Sequence, residues 1–142
     1  IKTSDILKKH IIELGAEGTI VKSRVKELLH GVEKEVNNVI KDYTKIGIKK
    51  TKRFLDMLNY DELLDLNNIE QSLGLTKDSI ELIARGHRLL SHVGMPEEDI
   101  GILIKEFKNI NQILALKPSQ TQSFFNEEKG SIILERIKHL NE

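Results

Sequence analysis

Three features of the sequence predict an all-α fold. Apolar residues recur at three- and four-residue spacing along most of the chain, as in Ile100, Leu103, Ile104 and Phe107. Helix-favouring Leu, Ile, Lys and Glu are abundant and there are two prolines. No stretch alternates apolar and polar residues as a half-buried strand does, and no Asn-Gly or Asp-Gly pair marks a β-hairpin.

The elements can be taken in order. Ser4 or Asp5 can cap a first helix carrying Ile6, Leu7, Ile11, Ile12 and Leu14. Gly15-Ala16-Glu17-Gly18 reads as a tight helix–helix turn. Thr19 can then cap a second helix with Ile20, Val21, Val25, Leu28 and Leu29, stopping at Gly31. Val32, Val36, Val39, Ile40, Tyr43 and Ile46 mark a third, ended near Gly47, and Phe54, Leu55 and Leu58 a fourth. Tyr60, Leu63, Leu64 and Leu66 form a short fifth element, on which Asp61 and Glu62 read as capping residues rather than a catalytic pair. Asn67 or Asn68 can cap a sixth, with Ile69 and Leu73, closed by Gly74. Thr76–Ser79 is a polar break and the expected domain boundary, dividing a helical linker domain (1–75) from a second domain (76–142). Helix is expected to resume with Ile80, Leu82 and Ile83.

The second part holds the most informative pattern. Leu89, Leu90 and Val93 share one face of a short helix, and Ile100, Leu103, Ile104 and Phe107 one face of the next. Between them, Val93-Gly94-Met95-Pro96 suits a tight corner: Gly94 tolerates positive φ, Met95 can turn into the core, and Pro96 pre-sets the next helix. That helix opens with unbonded backbone N–H groups, the geometry that holds a phosphate. This is the pattern of a helix-hairpin-helix, which grips nucleic-acid backbone without reading bases. An ordinary αα-hairpin fits the same residues. Ile110–Leu114 reads as a helical link. Pro118-Ser119 starts a short helix reaching Phe124-Phe125, Asn126–Ser131 a second tight turn, and Ile132–Leu140 a last helix. The motif is therefore doubled, and paired hairpins can grip both strands of a duplex.

Composition narrows the function classes. Lys+Arg and Asp+Glu are both 22, so the protein does not carry the basic surface of a general nucleic-acid binder. With no cysteine, disulfides, thiolate metal sites and a Cys nucleophile are excluded, and a reducing cytoplasm is the expected compartment. The five histidines lack metal-ligand spacing, no Ser/His/Asp set or phosphate-binding loop is apparent, and no apolar run reaches membrane-spanning length. Neither cofactor, metal, membrane contact nor enzyme activity is expected. A start at Ile1 rather than Met leads us to expect a piece of a longer polypeptide.

The candidate DNA-backbone contacts are Val93, Gly94 and Met95 at the first corner, with Arg85 and Arg88 on the helix before it and Lys105 and Lys108 after it. Arg85 and Arg88 equally suit a solvated face or a pair with Glu81, and the two lysines plain surface. Lys129, Gly130, Ser131 and Arg136 offer a backbone nest, a hydroxyl and two charges at the second corner. Lys41, Lys45, Lys49, Lys50, Lys52 and Arg53 form the densest basic run, either a solvated surface or a non-specific DNA contact.

Several of these segments carry a family resemblance. Glu13-Leu14-Gly15-Ala16-Glu17-Gly18, Ile40-Lys41-Asp42-Tyr43, Tyr60-Asp61-Glu62-Leu63-Leu64-Asp65 and Arg85-Gly86-His87-Arg88-Leu89-Leu90 occur in this order. From about residue 5 to its end the chain resembles the C-terminal part of the DNA integrity scanning protein family, bacterial diadenylate cyclases. The resemblance implies a helical linker followed by a tandem helix-hairpin-helix domain that binds duplex or, preferably, branched DNA. It places cyclic di-AMP synthesis in a separate domain ahead of the linker, through which a homo-oligomer would form. The Asp-Gly-Ala and Arg-His-Arg triplets of that domain are absent here. The second hairpin departs from the family's Gly-x-Gly: Glu128-Lys129-Gly130-Ser131 keeps one glycine, and the following Arg position is apolar. Glu97-Glu98-Asp99 suits a helix dipole but repels phosphate. Residues 76–142 hold nine Lys and Arg against ten Asp and Glu, a net of −1. A helical scaffold that has lost DNA binding and acts through protein contacts is therefore the alternative.

Overall fold

The structure, a computed structural model, describes residues 2–11, 15–76 and 82–140. The described residues are helices joined by short turns, and no strand occurs among them. In the first half these are α1 (Lys2–Ile11), α2 (Gly15–Leu28), α3 (Val32–Tyr43), α4 (Ile48–Met57), α5 (Tyr60–Leu64) and α6 (Leu66–Leu73). The second half holds α7 (His87–His92), α8 (Glu97–Phe107), α9 (Ile110–Leu114), α10 (Pro118–Thr121) and α11 (Glu127–Lys138). Helix α1 packs on α2, α4 on α3 and α6, and α5 on α6. Helix α3 also packs on α7, which joins the two halves. Beyond it, α8 packs on α7 and α9, and α11 on α9 and α10.

Apolar burial is uneven. Leu90, Met95, Ile100, Leu103, Ile110, Ile113, Phe125, Ile133 and Ile137 form one buried cluster, all from the second half. Both expected hairpins contribute to it. Phe107 and Phe124 close its edge in an edge-to-face contact with centroids 6.0 Å apart. The first half buries fewer apolar side chains, among them Ile40, Leu73 and Leu75, together with polar Asn38, Thr44, Thr51 and Ser72. It leaves Leu28, Met57 and Leu64 at least 70% exposed.

Several boundaries differ from the sequence expectation, each for a local reason. Gly15–Gly18 is the opening of α2 rather than a turn. A Cβ at Gly18 would lie 2.4 Å from the Ile11 carbonyl oxygen, so Gly18 permits α1 and α2 to touch. Thr19 lies within α2, and Ile12 and Leu14 fall outside the described residues. Helix α6 is capped by Asp65, whose carboxylate accepts from Asn67 N at 2.9 Å, not by Asn67 or Asn68. Asn59 and Glu62 form a reciprocal capping box on α5, at 2.9 and 2.7 Å, so Glu62 caps as expected. Lys77–Glu81 fall outside the described residues, and with them most of the polar break, Ile80 and the Glu81 partner expected for Arg85 and Arg88. Leu82–Arg85 is not helical. Its backbone is held instead by partners distant in sequence, with Ile110 N donating to Ala84 O at 3.0 Å.

The second hairpin also shifts. Asn126 caps α11 through Lys129 N at 2.8 Å, so Glu128–Ser131 is helix and the corner lies at Gln122–Asn126. The Asn126 cap won over the sequence reading of Gly130 as a turn residue. Gly130 is buried, and a Cβ there would lie 3.3 Å from Thr121 Oγ1.

Two glycines at helix ends should respond differently to substitution. Gly74 closes α6 at φ 74°, and a Cβ would meet Ile46 Cγ2 at 2.5 Å. Gly94 has φ 71° with open space where its Cβ would point. Gly74→Ala should cost about 2–4 kcal/mol, strain plus overpacking, against about 1–2 kcal/mol for Gly94→Ala, in urea unfolding.

Candidate functional site

The junction between α3 and α7 is built from two of the segments that carried the resemblance. Asp42, in the last turn of α3, is 5% exposed. Its Oδ1 accepts from Gly86 N at 2.8 Å and His87 N at 2.6 Å, and its Oδ2 accepts from Arg88 N at 3.2 Å. A residue from another helix thus caps α7, whose own N-cap, Gly86, has no side chain to do so. The reverse bond is made by Arg85, whose Nη1 donates to Lys41 O at 2.6 Å and Nη2 to Thr44 O at 2.9 Å. A cation therefore meets the carbonyl end of α3 and an anion the amide end of α7, each matching the local dipole.

Further ionisable side chains flank this reciprocal cap. Lys41 Nζ donates to Glu97 Oε1 in the first turn of α8, and that bond holds the Glu97 carboxyl below its usual range. Glu35 takes Arg88 Nε at 2.9 Å on one oxygen and lies 2.9 Å from His92 Nε2 on the other. Hydrogen bonds from Arg88 and then His92 lower the Glu35 pKa. His87 is half-buried and its Nδ1 has no hydrogen-bond partner. Desolvation, the largest influence, pushes its pKa down, against the opposing pull of Asp42.

The first corner keeps its own amides occupied. Val93 N, Gly94 N and Met95 N donate to Leu89 O, Ser91 O and Leu90 O at 3.4, 3.1 and 3.1 Å. Met95 is buried in the core, as expected. Pro96 supplies no side-chain cap to α8, whose first turn holds Glu97, Glu98 and the buried Asp99. Asp99 Oδ1 lies 2.6 Å from Lys129 Nζ, an ion pair without hydrogen-bond alignment. Lys129 also sits 5.6 Å from the centroid of the Phe125 ring. Arg136 Nη1 donates to Gly94 O, and Ser131 Oγ to Glu127 O at 2.9 Å. Of the second hairpin helix, Arg136 thus reaches back to the first corner and Lys129 to the first turn of α8 beside it. Arg85 and Arg88 face α3 instead, Arg85 lying ahead of α7 rather than on a helix. Lys105 and Lys108 are exposed.

By sequence, Lys41 reads as part of the basic run and Glu97 as an acid that repels phosphate; their pairing with each other at this junction, and that of Asp42 with the amides of α7, was missed. The signal was present in the pairing of Ile40–Tyr43 with Arg85–Leu90, two segments 45 residues apart that prove to be one contact. Among the described residues no cluster of His, Cys, Asp and Glu could hold a metal ion, and no helix is long and apolar enough to cross a membrane.

Removing the Asp42 carboxylate strands buried donors. Asp42→Ala should cost about 2–4 kcal/mol in urea unfolding. Glu35→Gln, on an exposed pair, should change stability far less. His87 gives a pH signature. Its folded pKa lies below the ordinary 6.5, so the unfolded chain binds more protons as pH falls through that value. This contribution is present in full above about pH 6.5 and shrinks on acidification. Melting should therefore drop between pH 7.5 and 5.5, and His87→Gln should reduce that drop.

Comparison with known proteins fits this junction into a family. The family description "DisA bacterial checkpoint controller linker region" matches residues 1–82. A DNA integrity scanning protein DisA from Clostridioides difficile is 33% identical over 121 residues, covering 80% of this chain and 34% of that protein. One from Acetivibrio thermocellus is 31% identical over 146 residues, covering 96% of this chain and 41% of that protein. One from Streptomyces coelicolor is 29% identical over 150 residues, 96% of this chain and 40% of that protein. The chain thus spans well under half the length of these relatives. No solved structure matches it. The aligned span and identity decide the assignment: the chain belongs to the DisA family of DNA integrity scanning proteins.

Proposed function

We propose that this chain is the non-catalytic linker and DNA-binding module of a DNA integrity scanning protein, divided near residue 76. It contacts duplex or branched DNA through backbone phosphates at the two hairpins, and the linker relays that state to a cyclase domain elsewhere in the protein. The observation that carries this reading is the pair of hairpins around one core, in a chain of this family. Their second helices, α8 and α11, present first-turn amides at Glu97, Glu98, Glu127 and Glu128. Val93, Gly94 and Met95 shape the first corner; Lys129, Gly130 and Ser131 lie in the first turns of α11. Lys105 and Lys108 add exposed charge, Arg136 and Lys129 would exchange internal partners for phosphate, and Arg85 and Arg88 would have to leave the partners on and beside α3 that hold them.

A scaffold working through protein contacts is the second reading. The inward engagement of Lys129, Arg136, Arg85 and Arg88 favours it.

Titration of a labelled four-way junction and a plain duplex at about 50 mM salt separates the two. DNA binding predicts a Kd tighter than about 100 μM, with affinity falling linearly in log–log salt plots. Asp99→Asn should release Lys129, raising affinity about three- to tenfold and steepening the salt slope by about 0.9. Absence of binding to both DNAs would leave the scaffold reading.

A further inference from the structure

Residues 45–53 concentrate positive charge: Lys45, Lys49, Lys50, Lys52 and Arg53, with no Asp or Glu among them. The register of α4 decides where they lie. Thr51 is fully buried, its Oγ1 2.7 Å from Thr44 Oγ1, and half-buried Ile48 and Leu55 share its face. The intervening positions are left for the flanks and outer surface, so Lys45, Lys49, Lys50 and Arg53 are exposed and Lys52 half-buried. None of the five takes part in the ion pairs found among the described residues. Lys50 Nζ lies 6.0 Å from the centroid of the exposed Phe54 ring.

At the hairpin corners the cations are engaged, while Lys105 and Lys108 at the end of α8 stay exposed. Lys129 faces Asp99, Arg136 a backbone carbonyl, Arg85 two carbonyls and Arg88 Glu35. Nearby Asp42, the one acid inside the basic run, is buried under the amides of α7, and Lys41 is paired with Glu97. In a chain of zero formal charge, positive charge at 45–53 thus stands outside the ion pairs found among the described residues. Two lysines and no acid in the first turn of α4 oppose its dipole, an arrangement that a bound polyanion relieves.

We propose that the exposed side of α4, with Lys49 and Arg53 outward, Lys50 and Lys52 on its two flanks and Lys45 just ahead of it, is a sequence-independent contact for the DNA backbone. The choice of DNA as the polyanion rests on the function proposed above; the surface is separate from the hairpins. DNA held there bears directly on the linker, one turn of chain from the Thr44 carbonyl that Arg85 grips.

The test is Lys49→Glu, Lys50→Glu, Arg53→Glu in the 142-residue chain, with a labelled duplex at about 50 mM salt. Affinity should fall at least tenfold, and the log–log salt slope should become less negative by about 2–3, at about 0.9 per lost phosphate contact. Glutamates in the first turn suit the dipole, so the melting temperature should hold or rise, separating lost binding from lost folding. In parallel, backbone amide NMR of the unaltered chain with the same duplex should move signals of residues 45–54. Signals moving only at residues 93–99 and 126–131, with undiminished affinity in the triple variant, would overturn the α4 surface and leave the hairpin reading standing. Signals moving at α4 but not at the hairpins would sustain the surface and remove the hairpins as the contact. No movement up to about 100 μM would overturn both.

Discussion

The carboxylate of Asp42 holds the molecule's two halves in register. A helix start needs acceptors for its first amides, and α7 has only a glycine at the capping position. Asp42 supplies that acceptor from α3, and Arg85 returns a donor to the carbonyl end of the same helix. Each half therefore completes a helix terminus in the other. Because one bond set satisfies opposite helix ends, the angle between α3 and α7 cannot drift without exposing several buried polar groups at once. The exposed pairs of Glu35 with Arg88 and His92 add orientation around this contact, but solvent screens them.

Charge is distributed to match that division of labour. Around the shared core, cations are drawn inward: Lys129 to Asp99 and Arg136 to the Gly94 carbonyl. These contacts join the two hairpins and leave Lys129 and Arg136 with partners inside the protein. On α4, lysines stand clear because the inner face there is closed by a threonine pair, not by charge. Residues 45–53 carry five cations, four of them exposed, and no acid.

How much of this the sequence disclosed follows from the range of the forces involved. The helical class, the apolar face of α8, the buried role of Met95 and the left-handed close of α6 at Gly74 are local consequences of spacing and backbone preference, and were legible. Helix starts were less so. In the helices that start at Gly15 and Glu127, Gly18 and Gly130 read as breakers but lie in the first turns, where close packing on Ile11 and on Thr121 favours a residue without Cβ. The partners of Arg85 and Asp42 were illegible from spacing alone. Their bonds cross more than forty residues, and nothing within either segment announces the other. Their joint presence in the family resemblance was the trace of that contact.

The apolar interior belongs to the second half, while the first half relies on polar pairs and a few buried aliphatics. Such a partition makes the linker the softer member, and its docking onto α7 then lends it order from outside. Severing the chain at the polar stretch near residue 76 would look harmless by sequence, yet it would leave a frayed terminus on both products. The seam that matters for excision is the α3–α7 contact, and a separable unit would have to carry α3 along.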